Sequence, residues 1–255
     1  MTGASKLDGH EAREQSPGFL EKGERGSTEV ISPASKVYVY EAPVRLWHWV
    51  TTLCVIVLCV TGYLIGLPPA SVGGEASDAF VMGYIRMVHF AAGQILAVFF
   101  LMRIYWAFAG NHHARQIFFV PFWKGKWWQN LLHEIKWFSF LARVPKKYVG
   151  HNPMAHLAIF FLFLIPLIFQ ILTGFALYAE GQGTSSWWYS AFGWVFGLFG
   201  DNSFFVHTVH RLIMWVIVCF VIIHTYGAIR EDVMSRQTMV SAMISGWRYF
   251  KDDKK

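Results

Sequence analysis

The stretch HRLIMWVIVCFVIIH, residues 210–224, is an almost wholly apolar run with a histidine at each end. In an α-helix, fourteen residues fall about 40° short of four full turns, so His210 and His224 share one face, about 21 Å apart along the axis. A helix that crosses the roughly 30 Å hydrocarbon core of a bilayer would hold one imidazole near each surface. Ionisable side chains inside a membrane span are costly and usually mark a functional path. The stretch therefore predicts a membrane helix with a functional group near each end.

The composition places the whole chain in the same class. Of its 255 residues, 55% are hydrophobic and only 15% are charged, and the mean hydropathy is +0.36. A soluble domain of this length has no core large enough for so much apolar material, so the composition predicts an integral membrane protein. The three cysteines lie inside apolar runs and form no C-x-x-C or C-x-x-C-H pattern. That pattern argues against zinc ribbons and covalently attached c-type haem.

Four apolar runs are long enough to cross a membrane as helices, because each has at least the roughly 20 residues required. They cover about residues 46–67, 84–108, 154–179 and 204–229. Two arginines near the ends of the second run, Arg86 and Arg103, are expected to snorkel to the membrane surfaces. Pro166 predicts a kink in the third run.

The spans divide the chain into three parts. Residues 1–36 are polar, mixed in charge and without the apolar core of a signal peptide, so they are predicted to form a disordered cytoplasmic N-terminal tail. Residues 37–232 are predicted to form the transmembrane domain, and residues 233–255 a cytoplasmic C-terminal tail. The predicted fold class is an all-α integral membrane protein, a bundle of four helices.

Basic residues are concentrated in one loop. Segment 110–153 holds seven Lys or Arg and one acid, whereas segments 68–83 and 180–203 hold no Lys or Arg. The positive-inside rule then predicts that the basic loop and both termini are cytoplasmic. The net charge of +6 reflects this orientation rather than nucleic-acid binding. Within the loop, residues 127–143 carry apolar side chains at helical spacing, which predicts an amphipathic helix on the cytoplasmic membrane surface.

Four histidines lie inside the spans, and the topology pairs them by depth. His48 and His224 fall near the cytoplasmic surface, and His89 and His210 near the outer surface. Two pairs of neutral imidazoles at matched depths favour two bis-histidine haems, whose flat apolar rings fit between the helices of a bundle. His207 is an alternative ligand one turn before His210. Its spacing from His224 turns it about 100° off the shared face, so His210 is preferred and His207 is expected beside the site.

Haem propionates need counter-charges near the membrane surfaces. Three arginines lie beside the histidines, namely Arg45, Arg86 and Arg211. They are predicted to contact the propionates, although the same arginines could be ordinary snorkelling anchors.

Glycines inside the spans would leave room for a macrocycle, although glycine is also common where membrane helices pack closely. They are Gly62, Gly93 and Gly174. The tripeptides TGY (61–63) and TGF (173–175) echo each other near the outer ends of two spans, but the likeness is too short to define a repeat.

Four segments carry a resemblance to a known family. They are EAPVRLWHW (41–49), MGYIRMVHF (82–90), GHNPMAH (150–156) and HRLIMWVIVCFVIIHTYGAIRED (210–232). In this order they resemble the b-type cytochrome subunit of membrane-bound nickel–iron uptake hydrogenases, from about residue 37 to about residue 250. A more distant resemblance is to the cytochrome b subunit of respiratory formate dehydrogenase, which shares four haem-carrying helices and this histidine spacing.

The resemblance implies an electron-transfer subunit in the bacterial cytoplasmic (inner) membrane. It would hold the iron–sulfur small subunit of a periplasm-facing hydrogenase at the outer face and, through it, the large nickel–iron subunit. Electrons would pass through two non-covalent haems b to menaquinone or ubiquinone, and this chain would hold no hydrogen-activating site. Hydrogen and hydrogenase follow from the resemblance alone, whereas the paired histidines follow from the residues.

The segment GHNPMAH is the predicted quinone site, because it is the only polar cluster that enters the bundle at the depth of the cytoplasmic histidine pair. Asn152 offers an amide donor to a quinone carbonyl, and His151 can exchange protons near neutral pH. Gly150 and Ala155 are small enough to leave room for the ring. The formate dehydrogenase cytochrome is similar in using an asparagine at the start of its third helix. In a purely structural alternative, Asn152 caps the helix and Pro153 occupies its first turn.

Two other functions remain open from the residues. One is the cytochrome b subunit of a different periplasmic dehydrogenase, such as formate dehydrogenase, which the histidine spacing does not distinguish. The other is a metal-ion transporter that uses intramembrane histidines. The four spans contain no Asp or Glu, which argues against a continuous polar transport path.

Overall fold

The computed structural model describes residues 29–30, 36–69 and 80–250. Among these, four helices are long and apolar enough to cross a membrane, which confirms the predicted four-helix membrane fold. The first to fourth membrane helices span Ala42–Gly66, Val81–Ala109, Pro153–Gln182 and Ser203–Met234. In each helix, only 17% to 28% of the most apolar 18-residue stretch is buried inside the protein. Most of the apolar surface is therefore available to lipid.

The first membrane helix packs along the second, and the third along the fourth. A layer of buried apolar side chains joins the two halves: Cys54, Leu96, Phe163, Leu167, Ile217 and Phe220. Each member lies along its helix between the levels of the two histidine pairs. The rings of Phe163 and Phe220 stack with centroids 5.0 Å apart. The layer therefore separates one pair from the other by apolar material.

The third membrane helix contains the predicted irregularity at Pro166. Proline lacks an N–H donor, and its ring would clash with the carbonyl four residues earlier in a regular α-helix. The backbone is π-helical over Ile159–Leu164, directly before Ile165 and Pro166. The wider turn accommodates the ring and keeps the helix continuous.

The two ends of the bundle differ in their connections. The basic end carries residues 110–152 together with residues 36–41 and 235–250, and the acidic end carries residues 67–69 and 183–202. At the acidic end two short helices, Trp187–Phe192 and Trp194–Gly197, precede the fourth membrane helix. At the basic end a 3-10 helix, His112–Phe118, follows the second membrane helix.

The predicted C-terminal tail is folded as far as residue 250. After Met234 the chain forms a short helix, Ala242–Ser245, and strand β4, Trp247–Tyr249, which pairs antiparallel with β2, Lys36–Tyr38. Buried Arg248 anchors this segment by donating to the Gly150 carbonyl (2.7 Å) and to Gln237 Oε1 (2.7 Å). The sequence does not predict this folded segment, because the two hydrogen-bond partners of Arg248 come from separate parts of the chain.

The predicted N-terminal tail, residues 1–36, lies mostly outside the described residues. Within it, Glu29–Val30 form strand β1, which pairs antiparallel with β3, Tyr148–Val149. At these two residues and at Lys36, which begins β2, the structure differs from the predicted disorder.

The amphipathic helix spans Gly125–Phe138, so its predicted extension to residue 143 is wrong. Phe140 has a left-handed φ of 60°, and the Leu141 N–H donates to the Lys136 carbonyl (2.8 Å), which closes the helix. One face of the helix leaves apolar side chains exposed, and the opposite face is buried against the protein. The exposed side chains are Trp128, Leu132 and Ile135, and the buried ones are Trp127, Leu131 and Trp137. The helix therefore packs against the third membrane helix, so the membrane surface is not its sole support.

Candidate functional site

Both predicted histidine pairs meet in space. The rings of His89 and His210, from the second and fourth membrane helices, have centroids 6.5 Å apart. The rings of His48 and His224, from the first and fourth, have centroids 6.3 Å apart. We call these the acidic-end pair and the basic-end pair. Their positions agree with the pairing by depth.

The two separations can be tested against a bis-histidine metal. A metal–imidazole nitrogen bond is on the order of 2 Å, and ring bonds are about 1.3 to 1.4 Å. Two imidazoles on opposite sides of one metal ion then have centroids about 6.3 Å apart. The observed separations of 6.3 and 6.5 Å are close to this value.

Hydrogen bonds orient the acidic-end pair. The Thr61 hydroxyl lies 2.8 Å from His89 Nδ1, and the Thr173 hydroxyl lies 2.9 Å from His210 Nδ1. Each hydroxyl donates its own proton to the carbonyl four residues earlier in its helix (2.7 Å in both cases). The threonine oxygen must therefore accept the Nδ1 proton, which leaves Nε2 as the unprotonated nitrogen in both rings.

A cavity of about 950 Å³ lies between the helices at this level, and both histidines of the acidic-end pair line it. Arg86 and Arg211 also line the cavity. Both are predicted to contact haem propionates, which requires them to lie beside this histidine pair. Arg45 lies at the other end, where its guanidinium donates to the Ile244 carbonyl. That contact ties the first membrane helix to the folded C-terminal segment.

Two of the three predicted glycines lie directly against the histidines. A Cβ added at Gly62 would lie 3.2 Å from His89 Cε1, and one at Gly174 would lie 3.2 Å from His210 Cε1. Both distances are tight, so these two glycines let the imidazoles approach the helix backbone. Gly93 lines the cavity and its nearest neighbour for an added Cβ is at 3.9 Å.

His207 is exposed, and the ring that lies against His89 is that of His210. Its Nδ1 lies 3.0 Å from the Ser203 carbonyl in its own helix, although the residue lines the edge of the cavity. The geometry therefore supports the preference for His210. The sequence did not point to Gln170, whose amide nitrogen lies 3.1 Å from His210 Nε2. This amide must move aside for His210 Nε2 to bind a metal.

The basic-end pair is held differently. Phe220 stacks on His224 (centroids 5.3 Å apart), and Trp49 lies edge-on to His48 (5.1 Å). His48 Nδ1 is buried without a hydrogen-bond partner. No hydrogen bond joins either ring of this pair to a residue that the structure describes.

The expected snorkelling of Arg103 is wrong, because the residue is only 2% exposed. Its guanidinium donates to the Ala114 carbonyl and lies 5.4 Å from the ring centroids of Trp47 and Phe118. The 3-10 helix folds back over the end of the second membrane helix and covers this side chain. The hydropathy pattern carries no signal for that fold-back.

The predicted quinone cluster begins the third membrane helix. Asn152 Oδ1 accepts from the Ala155 N–H (2.7 Å), and Pro153 occupies the first turn, so the capping alternative is present. The amide nitrogen of Asn152 has no hydrogen-bond partner among the described residues. Capping therefore uses the oxygen and leaves the donor available.

His151 lies at the same end, with its ring centroid 6.1 Å from that of Tyr40. Its Nδ1 is buried without a partner. Burial above all, followed by electrostatic repulsion from neighbouring basic groups that include Arg248, lowers the pKa of His151 well below its ordinary value. The imidazole is therefore neutral at pH 7, and it does not titrate near neutrality as the sequence suggested.

Gly150 has a backbone reason to be glycine. Its φ is +86°, in the left-handed region, and an added Cβ would overlap the Gln116 amide. Gln116 is buried and its amide nitrogen lies 3.2 Å from His113 Nδ1, so it has little freedom to move. The small size of Gly150 does not by itself require a ring beside it.

Gly150→Ala is therefore expected to lower the thermal unfolding midpoint of the purified protein. Gly200→Ala is the matched control, because Gly200 also has a positive φ, of +67°, and no neighbour within 4 Å of an added Cβ. A left-handed alanine costs about 1–2 kcal/mol, and Gly150→Ala should add the cost of displacing Gln116. Equal midpoints in the two variants would contradict the steric part of this expectation.

Sequence similarity to known proteins extends over almost the whole described region. The sequence model of the family described as prokaryotic cytochrome b561 matches residues 39–246, a range that contains both pairs and the quinone cluster. The chain is 60% identical over 216 residues to the probable Ni/Fe-hydrogenase B-type cytochrome subunit of Rhizobium leguminosarum bv. viciae, covering 85% of this chain and 90% of that protein. It is 55% identical to the protein of that name from Azotobacter vinelandii, over 226 residues (89% and 94%). It is 51% identical to the probable Ni/Fe-hydrogenase 1 B-type cytochrome subunit of Escherichia coli (strain K12), over 220 residues (85% and 92%).

Proposed function

We propose that this chain, which belongs to the prokaryotic cytochrome b561 family, is the b-type cytochrome subunit of a membrane-bound nickel–iron hydrogenase. In this role it carries electrons across the membrane through two non-covalent haems b. The observation that carries the proposal is the presence of two facing imidazole pairs near opposite ends of four membrane helices. The names of the relatives described above favour hydrogenase over formate dehydrogenase as the partner enzyme. The relatives give no support to a metal transporter.

The two histidine pairs would hold the two haems. His89 and His210 would hold one haem in the 950 Å³ cavity, with Arg86 and Arg211 available to its propionates. His48 and His224 would hold the other. The haems supply one-electron oxidation and reduction without loss or gain of atoms, while the helices hold the ligands at fixed depth.

The remaining assignments follow from the direction of transfer. In the proposed orientation the acidic end faces the periplasm and receives electrons from the iron–sulfur small subunit, and the basic end faces the cytoplasm. Menaquinone or ubiquinone would bind at the basic end beside His151 and Asn152, with Gly150 and Ala155 at its edge. Hydrogen activation would remain with the large nickel–iron subunit.

Hydrogen-driven reduction tests the proposal. Adding hydrogen to the purified complex should reduce the b-type absorption bands of both haems. In the complex with His89→Ala, hydrogen should no longer reduce the remaining haem at the original rate, because the entry point is lost, while dithionite still reduces it fully. If hydrogen reduced that haem at an unchanged rate, electrons would not enter at the acidic end.

A further inference from the structure

The Thr-Gly dipeptides of the first and third membrane helices form two copies of one local site. Thr61–Gly62 and Thr173–Gly174 each lie at the acidic half of a helix and face a histidine of the neighbouring helix. The glycine lets the imidazole come close, and the threonine oxygen accepts its Nδ1 proton. What the sequence presents as a three-residue echo is one contact made twice, once on each side of the acidic-end pair.

The chemistry of this contact is directional. Because each hydroxyl proton is already donated to a backbone carbonyl at 2.7 Å, the hydroxyl oxygen can only accept from the ring. An accepting group at Nδ1 raises the basicity of Nε2 and makes it a stronger electron donor to a bound metal. A stronger donor stabilises the more positive, oxidised state of the metal and so lowers its reduction potential.

The basic-end pair has no such contact among the described residues. Thr52 lies next to this pair, but its hydroxyl donates to the backbone carbonyl of His48 (2.8 Å) and not to an imidazole. Thr51 is buried, and its hydroxyl has no partner. The two ends therefore differ in ring hydrogen bonding although both pairs have nearly the same ring separation.

We propose that Thr61 and Thr173 are positioning residues that lower the reduction potential at the acidic-end pair relative to the basic-end pair, so that electron transfer towards the basic end is downhill. The inference rests on the proposed function, since it requires a haem at each pair. The step moves one electron from the acidic-end pair to the basic-end pair. No proton moves with it, because the Nδ1 protons remain on the imidazoles.

The test is a redox titration of the purified full-length protein, followed by visible spectroscopy. Thr61→Val and Thr173→Val remove one accepting oxygen each with little change in shape, and the double variant removes both. In the double variant the equilibrium ratio of reduced to oxidised acidic-end haem at a fixed ambient potential should rise about tenfold, an upward shift of about 59 mV for one electron. Thr61→Ser and Thr173→Ser keep the hydroxyl and should restore the wild-type ratio.

A matched control and a second background make the outcome specific. Thr52→Val removes a hydroxyl that bonds a backbone carbonyl, so it should leave the acidic-end potential unchanged. Repeating the titration with His48→Ala present leaves only the acidic-end haem, so the shift can be assigned. If His48→Ala leaves no haem or two, the proposed haem assignment fails.

The remaining outcomes bear on the threonines alone. An unchanged or lowered potential in the double variant, with the acidic-end haem retained, would overturn the inference and leave the haem assignment intact. Loss of that haem from both the valine variants and the corresponding alanine variants would also overturn it, because the threonines would then serve haem retention.

Discussion

Replacing His224 with alanine is expected to lower the haem content of the purified protein from two per chain to one. His224 faces His48 with ring centroids 6.3 Å apart, so its loss would leave His48 as the only imidazole of this pair to hold the proposed haem. His48→Ala should have the same effect. His89→Ala and His210→Ala should each remove the other haem. Pyridine-haemochrome analysis of each variant measures the stoichiometry.

His207→Ala is the matched control for this series. His207 lies one turn from His210, but its imidazole is bonded to the Ser203 carbonyl of its own helix (3.0 Å). The variant should keep two haems with an unchanged spectrum. One haem in the wild-type protein, or haem loss in His207→Ala with retention in His210→Ala, would refute the assignment of ligands.

The histidine pairing could be predicted because depth in a membrane helix is nearly a linear function of residue number. A rise of about 1.5 Å per residue and the charge of the loops fix the level of each histidine. Two imidazoles at the same depth in a four-helix bundle that both face its interior are close to each other. The pairing of His48 with His224, which are far apart in the sequence, could therefore be predicted from residue spacing and loop charge together.

Contacts that depend on side-chain direction could not be read in the same way. The bonds from Thr61 and Thr173 to the imidazoles require the rotation of each helix about its own axis, which hydropathy does not specify. Buried Arg103 and Arg248 depend on the 3-10 helix and the C-terminal strand folding back over the basic end. An arginine near a span end has the same sequence signature whether it snorkels or is covered.

Asn152→Ser is expected to raise the KM for quinone about two- to tenfold in the complex without loss of haem. Serine is a good N-cap, so the variant keeps an oxygen that can accept from the Ala155 N–H, the contact now made at 2.7 Å by Asn152 Oδ1. It replaces the amide donor with a hydroxyl on a shorter side chain, and the net hydrogen bond of the amide to a quinone carbonyl is worth about 0.5–1.5 kcal/mol. The measurement is the quinone dependence of hydrogen oxidation, with the loss expected in KM for quinone.

The comparison separates binding from capping. If Asn152 only caps the third membrane helix, Asn152→Ser will reduce quinone like the wild type, whereas Asn152→Ala will be impaired in thermal stability and activity together. If the amide binds quinone, both variants lose activity and only the alanine variant loses stability.

His151 should contribute to the same site as a neutral group. Since burial is the main cause that holds the pKa of His151 well below the ordinary value, the ring stays uncharged from pH 6 to pH 8. The quinone-reduction rate should therefore show no ionisation of His151 in that range. Quinone takes up two electrons and two protons to become quinol, so a neutral imidazole must relay protons that arrive from the basic end, and His151→Ala should slow turnover more than it weakens inhibitor binding. In the proposed orientation, with the acidic end outside, these protons would come from the cytoplasm. The protons of hydrogen would be released on the other side, so turnover would generate a membrane potential. A rate that rises as a group with a pKa near 6.5 becomes protonated, and that loses this dependence in His151→Ala, would contradict the neutral-relay role.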